Sequence, residues 1–162
     1  MKKIAVFPGS FDPFTIGHES VLTRALPLFD KVIVMLGVNN NKKYLFPIES
    51  RKEMIEALFA DESKIEVQIY NGLTVDFCKL VHATHILRGL RTAADFEYER
   101  AIAQVNKKLH PEIETFFLLT LPEHTPINSS VVRDILIHGG DVSLFTPQKL
   151  DIKKYLKNEE VK

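Results

Sequence analysis

The chain has a single cysteine, Cys78, among 162 residues, and its charges cancel at 21 basic against 21 acidic side chains. One thiol excludes an intramolecular disulfide and a cysteine zinc cluster. A balanced charge excludes a global bias toward nucleic acid or an anionic membrane, so anion binding has to come from local clusters. No apolar run approaches the ~20 residues that span a bilayer. Met1-Lys2-Lys3 runs straight into a strand pattern without the apolar core of a signal peptide, so a cytoplasmic protein is expected, with neither nucleic acid nor membrane as partner. Low-complexity segments, internal repeats and linkers are also missing, and the length suits one domain over residues 1–162.

Short apolar runs recur at Lys3–Phe7, Lys31–Val38, Ile65–Tyr70, His85–Arg88 and Thr115–Leu121. Several are continuous and β-branched, the pattern of strands covered on both faces. Helical patterns separate them: Glu19–Phe29, Arg51–Ala60 behind a Ser50…Glu53 capping box, Thr74–His82, and Ala93–Leu109 behind Thr92 and before Pro111. Ser130–His138 follows, ending at Gly139-Gly140, and a short helix over Pro147–Leu156 comes last, with residues 157–162 a frayed tail. Strand–helix alternation predicts an α/β fold: a single doubly wound, Rossmann-like domain with a five-stranded parallel sheet and helices on both faces.

In such sheets ligands bind beyond the carboxyl ends of the strands. The chemistry-bearing residues fall there. Gly9-Ser10-Phe11-Asp12-Pro13-Phe14-Thr15-Ile16-Gly17-His18 leaves the first strand and enters a helix, whose free N–H groups suit phosphate. An imidazole at that point adds a directed donor, charged if protonated. Asn39-Asn40-Asn41-Lys42-Lys43 follows the second strand and Asn71-Gly72-Leu73-Thr74 the third. Arg88-Gly89-Leu90-Arg91 ends the fourth, with guanidinium forks matched to phosphate oxygens or paired with Asp95 and Glu99. His124-Thr125-Pro126-Ile127-Asn128-Ser129-Ser130 follows the fifth, where Ser129 or Ser130 can cap a helix or meet phosphate. His82, His85, His110 and His138 lack metal-ligand spacing, and Cys78 reads as a buried small hydrophobe.

Thr15-Ile16-Gly17-His18 and Ile127-Asn128-Ser129-Ser130-Val131-Val132-Arg133 resemble the two signatures of the nucleotidylyltransferase superfamily. Arg88-Gly89-Leu90-Arg91 with Asp95-Phe96-Glu97-Tyr98-Glu99 narrows the resemblance to the bacterial phosphopantetheine adenylyltransferases, over about residues 3 to 157. The departures are Asn128 for serine, Ser130 for threonine, and His124 where many relatives carry tryptophan. The resemblance implies reversible transfer of AMP from ATP to 4′-phosphopantetheine, giving dephospho-coenzyme A and pyrophosphate in coenzyme A synthesis. It implies direct attack without a covalent intermediate, with Mg²⁺ held mainly by the ATP phosphates. It also implies a homohexamer and coenzyme A as an inhibitor.

By that resemblance His18, Lys42 and Arg91 are catalytic. Ser10, Phe11, His18, Gly89, Leu90, Arg91, Glu99 and residues His124 to Ser130 hold ATP. Ser10, Lys42, Thr74 and Arg88 hold the acceptor. Two other readings stay open: a relative acting on nicotinate mononucleotide or glycerol phosphate, and a non-catalytic nucleotide sensor. Thr15, where those relatives more often carry histidine, weighs against the first, and the intact cationic set weighs against the second.

Overall fold

The computed structural model describes residues 2–156. Five parallel strands, β1 (Ile4–Gly9), β2 (Lys31–Gly37), β3 (Ile65–Tyr70), β4 (His85–Leu90) and β5 (Glu114–Leu119), form one sheet in the order β3-β2-β1-β4-β5. The chain winds outward from β1 to β3, returns to lay β4 on the other side of β1, then adds β5. Ile4 is in register with Lys31, and Ala5 with His85. The order reverses between β1 and β4, so their carboxyl ends diverge and leave a crevice there.

Alternation along the strands divides the core. Ala5, Phe7, Val32, Val34, Leu36 and Leu87 face α1 (Ile16–Ala25) and α2 (Ile48–Leu58) through Val21, Leu22, Ala25 and Ile55. Val6, Ile33, Met35 and Ile86 face α3 (Thr74–Leu80) through Val75, Phe77 and Cys78. Cys78 is fully buried and desolvation pushes its thiol up to about 12, so it is inert, as a core residue should be. The α4 helix (Ala93–Leu109) covers the β4–β5 end of the sheet, where Phe96 meets Phe117 edge-on at 5.9 Å. A third cluster, with Phe46, Met54, Val132 and Leu136, joins α5 (Ser129–Ile137) and the segment after it to α2.

The predicted architecture and all five strands are present. Helix ends are where the reading fails. The first helix starts at Ile16 rather than Glu19, because Thr15 caps it: its hydroxyl accepts from the His18 N–H. The Ser50…Glu53 capping box does not exist: α2 starts at Ile48 behind Pro47, which places Ser50 inside the first turn, and no side chain caps the helix. Asn128 rather than Ser129 or Ser130 caps α5, accepting from the Val131 N–H. The predicted helix Pro147–Leu156 is one short 3₁₀ turn, Ile152–Tyr155. Thr92 and Gly139 behave as read: Thr92 caps α4, and Gly139 (φ +72°) closes α5 in the left-handed conformation. The tail at 157–162 lies outside the described residues.

Candidate active site

Two cavities open where β1 and β4 part. The first, about 490 Å³, is lined by Ser10, Phe11, Thr15, Gly17, His18, Arg88, Gly89, Arg91, Asp95, Tyr98, Glu99, Ile127, Asn128 and Ser129, among others. The second, about 270 Å³, is lined by Ser10, Asn39, Lys42, Tyr44, Thr74, Arg88, Glu99, Ile102, Ala103, Asn106 and Thr115, among others. Pro8, Gly9, Ser10, Arg88 and Glu99 belong to both, so the two cavities share a wall.

His18 is fixed from behind. The Thr15 N–H donates to its Nδ1 at 3.0 Å, while the His18 N–H donates back to Thr15 Oγ1 at 3.4 Å. An imidazole nitrogen that accepts an N–H carries no proton, so the neutral ring keeps its hydrogen on Nε2. Phe11 and Phe14 pack on the ring at 5.1 and 5.4 Å between centroids, and Phe7 stands edge-on at 6.5 Å. This enclosure, then the charges of Arg91 and Arg88, lowers the His18 pKa to about 4. The sequence left open a charged imidazole. The structure makes it a neutral donor through Nε2–H, with its remaining free edge on the first cavity.

Of the two roles the sequence offers the arginines, the pairing with Asp95 and Glu99 is present. Both are paired. Arg91 meets the Asp95 carboxylate at 3.1 Å, and Arg88 forks onto Glu99 through Nε at 2.8 Å and through Nη2. Arg88 Nη1 also donates to the Pro8 carbonyl at 2.6 Å, which ties β4 to β1 across the crevice. Glu99 is the one buried residue of α4, where the sequence allowed a surface charge. Its carboxylate aims Arg88 along the shared wall.

The Gly9–Pro13 turn is braced by residues that sequence reasoning passed over. The Asp12 carboxylate is buried and accepts from the Leu45 and Phe46 N–H groups, each at 2.9 Å. Arg51 is also buried and donates to the carbonyls of Ser10 at 2.6 Å and Phe46 at 3.0 Å. Arg133 donates to the Asp12 carbonyl at 2.6 Å. The loop that carries Lys42 is thus locked to the loop that precedes His18. A buried arginine within a helix gives no sequence signal when the groups it meets are main-chain carbonyls. Phe11 takes a left-handed backbone (φ +47°), and its ring lies over Gly9, where a Cβ would approach within 2.7 Å.

Nine of the predicted ATP-contacting residues line the first cavity: Ser10, Phe11, His18, Gly89, Arg91, Glu99, Ile127, Asn128 and Ser129, and Arg88 of the acceptor set joins them. Leu90, His124, Thr125, Pro126 and Ser130 line neither cavity. Leu90 is buried in the sheet, and the Ser130 hydroxyl accepts from Arg133 at 3.1 Å. The Ser129 hydroxyl donates to the Pro13 carbonyl at 2.9 Å. What α5 offers the cavity is therefore backbone N–H rather than the predicted hydroxyls. Ser10, Lys42, Thr74 and Arg88 come together around the second cavity, and Lys43 stays outside both.

Residues 6–154 match the cytidylyltransferase-like family. The chain is 52% identical over 150 residues to the phosphopantetheine adenylyltransferase of Flavobacterium johnsoniae, covering 93% of this chain and 98% of that one. The chain belongs to the phosphopantetheine adenylyltransferase family. Its likeness to the enzyme of the same name from Phocaeicola vulgatus is 52% over 148 residues, covering 91% and 97% of the two chains. That from Leptospira biflexa is 48% identical over 147 residues, covering 91% and 92%. A crystal structure from Vibrio parahaemolyticus, provisionally named a nicotinate-nucleotide adenylyltransferase, superposes with a TM-score of 0.67 at 22% identity over 92% of this chain and 90% of that one, and speaks for the fold alone.

Within this family member Tyr44 is a local anomaly. Its ring stacks on Arg51, with the guanidinium carbon 4.0 Å from the centroid, yet its buried hydroxyl has no partner among the described residues. An unpaired buried hydroxyl costs free energy, so Tyr44→Phe is expected to raise the unfolding free energy by about 1 kcal/mol in urea titrations. A loss of stability would show that the hydroxyl has a partner.

Proposed function

We propose that this chain transfers AMP from ATP to 4′-phosphopantetheine, releasing pyrophosphate and forming dephospho-coenzyme A. The observation that carries this reading is the pair of cavities sharing Arg88 and Glu99 in a member of this family. ATP occupies the larger cavity, which has His18, Arg91 and the α5 N-terminus. The acceptor occupies the smaller, with Ser10, Lys42 and Arg88 at its anionic end and Thr74 beside the pantetheine arm.

The acceptor phosphate is already ionised, so the reaction requires no strong base. An acceptor phosphate oxygen bonds to the α-phosphorus on one side as the bond to the bridging oxygen breaks on the other. Pyrophosphate leaves with that electron pair, and no side chain is modified. The His18 Nε2–H donates to an α-phosphate oxygen as charge builds there. Lys42, Arg88 and Arg91 offset the repulsion between the two anions and hold them in line. Magnesium arrives as part of the ATP substrate. Among the described residues no three His, Cys, Asp or Glu side chains converge on a metal position, and Asp95 and Glu99 are spent on arginines. Coenzyme A, which shares the pantetheine arm, competes for the smaller cavity. The reaction runs in the cytoplasm; no helix among the described residues is long and apolar enough to cross a membrane.

The reverse direction gives a clean test. Incubation with dephospho-coenzyme A and pyrophosphate is expected to produce ATP, and nicotinate adenine dinucleotide is expected to yield none. ATP formed only from the nicotinate compound would replace the acceptor.

A homohexamer follows from the same reading, and α4 supports self-association. Its 17 residues bury only Glu99, while Tyr98, Ile102, Val105 and Leu109 are exposed. These four recur at helical spacing and make one apolar stripe, which in a soluble chain calls for a cover. Val105→Asp is expected to shift light-scattering mass to a smaller species. An unchanged assembly would move the interface elsewhere.

A further inference from the structure

The smaller cavity has walls from two helices. α3 meets it at its first residue, Thr74, and α4 lines it with Ile102, Ala103 and Asn106. Below the cavity the two helices are joined by one imidazole. His110 ends α4, its N–H donating to the Asn106 carbonyl at 2.9 Å. Its Nε2 lies 3.2 Å from Asp76 Oδ1 in the first turn of α3, and its Nδ1 lies 3.6 Å from Glu112 Oε1. The imidazole is only 17% exposed, whereas the Asp76 and Glu112 carboxylates are about half open to water, so the His110 end of the bridge is the one held in place. Pro111 fixes the backbone between His110 and Glu112. Asp76 is two residues from Thr74, and the carbonyl that His110 caps belongs to Asn106, so both ends of the bridge sit beside cavity-lining residues.

We propose that His110 is a positioning residue for the acceptor: it straps α3 to the end of α4 and so sets the width of the smaller cavity. This inference rests on the reading of that cavity as the phosphopantetheine site. Walls held at their bound separation leave less ordering for the acceptor to drive, which appears in its KM. The larger cavity has no lining residue from α3 and meets α4 only near its start, between Ala94 and Glu99, at the opposite end from His110, so the strap leaves ATP binding alone. A residue that merely stabilised the fold would lower the melting temperature and leave both KM values where they were.

Steady-state kinetics on the full chain test this with His110→Ala, Asp76→Ala, the double variant and His110→Gln. Each single alanine variant is expected to raise the KM for 4′-phosphopantetheine about threefold to fivefold, the size of one hydrogen bond. kcat and the KM for ATP are expected to stay within about twofold of the parent, a difference below about 0.5 kcal/mol. The double variant is expected to match the single ones, because one interaction cannot be lost twice. His110→Gln, which keeps a donor facing Asp76, is expected to recover much of the acceptor affinity. An acceptor KM unchanged in both single variants overturns the strap, as does an equal rise in the KM for ATP. If either alanine variant fails to fold, Asp76→Asn, which keeps the side-chain shape, decides by the same KM split. A parent enzyme that turns over phosphopantetheine while its variants are unchanged sinks only the strap. A parent that does not turn it over sinks the acceptor reading and the strap with it.

Discussion

His18→Ala is expected to lower kcat by about 10²–10³ while the KM for ATP changes little, because it removes one donor that acts mainly on the transition state. The ring is held on both sides: Thr15 fixes the tautomer through Nδ1, and Phe11 and Phe14 fix the plane. Alanine leaves that frame intact and takes away only the Nε2–H. His18→Asn is expected to lie between the two. The pH dependence has a definite sign. The His18 pKa falls to about 4 in the folded chain from 6.5, so the ring is neutral throughout the neutral range and the parent kcat/KM, which reports the free enzyme, shows no limb near 6.5 from this group. In the unfolded chain the ring takes up its proton near 6.5, so stability falls as pH drops from 6.5 toward 4. His18 accounts for at most about 3 kcal/mol of that loss, since one edge of the ring faces the cavity. The alanine variant is expected to unfold with a shallower acid slope. Near-parental turnover, or a pH–rate limb near 6.5 that vanishes with His18, would contradict a neutral donor.

Arg88→Ala carries the second large effect, and it falls on stability as well as activity. Arg88 neutralises the Glu99 carboxylate and ties β4 to the Pro8 carbonyl. Removing it leaves a carboxylate buried without its partner, which costs about 3 kcal/mol at the lower end for such pairs, because the Arg88 side chain is 29% exposed. The same change removes a cation common to both cavities, so acceptor and ATP affinities are expected to fall together. Arg88→Met with Glu99→Leu separates the two roles. The double variant is expected to regain most of the melting temperature and none of the turnover. Recovery of activity in that apolar pair would mean that Arg88 serves structure alone.

Much of this was legible beforehand, for physical reasons that differ between elements. The strands announced themselves because both faces of the sheet are covered, which demands uninterrupted apolar runs such as Val32 to Leu36. The loops that carry chemistry followed from the strand ends, and the structure gathers Ser10, Lys42, Thr74 and Arg88 around one cavity. Helix starts were less legible, because Thr15, Pro47 and Asn128 compete with neighbours of similar capping power. The charge state of His18 was hidden, since it depends on how Phe7, Phe11 and Phe14 of the preceding strand and loop fold onto the ring and on two arginines brought in from beyond β3. The brace of Asp12, Arg51 and Arg133 was hidden because the bonds that tie it to the Ser10–Asp12 turn span 33 to 121 residues. No local pattern marks a buried arginine whose partners are carbonyl groups.

The central claim is the acceptor, and pyrophosphate release tests it most directly. The parent chain with magnesium and ATP would be offered 4′-phosphopantetheine, nicotinate mononucleotide and glycerol 3-phosphate in parallel. Release with phosphopantetheine alone is the predicted result. Release with either other acceptor and none with phosphopantetheine would contradict the account, and ATP binding without release from any of them would make the chain a nucleotide sensor.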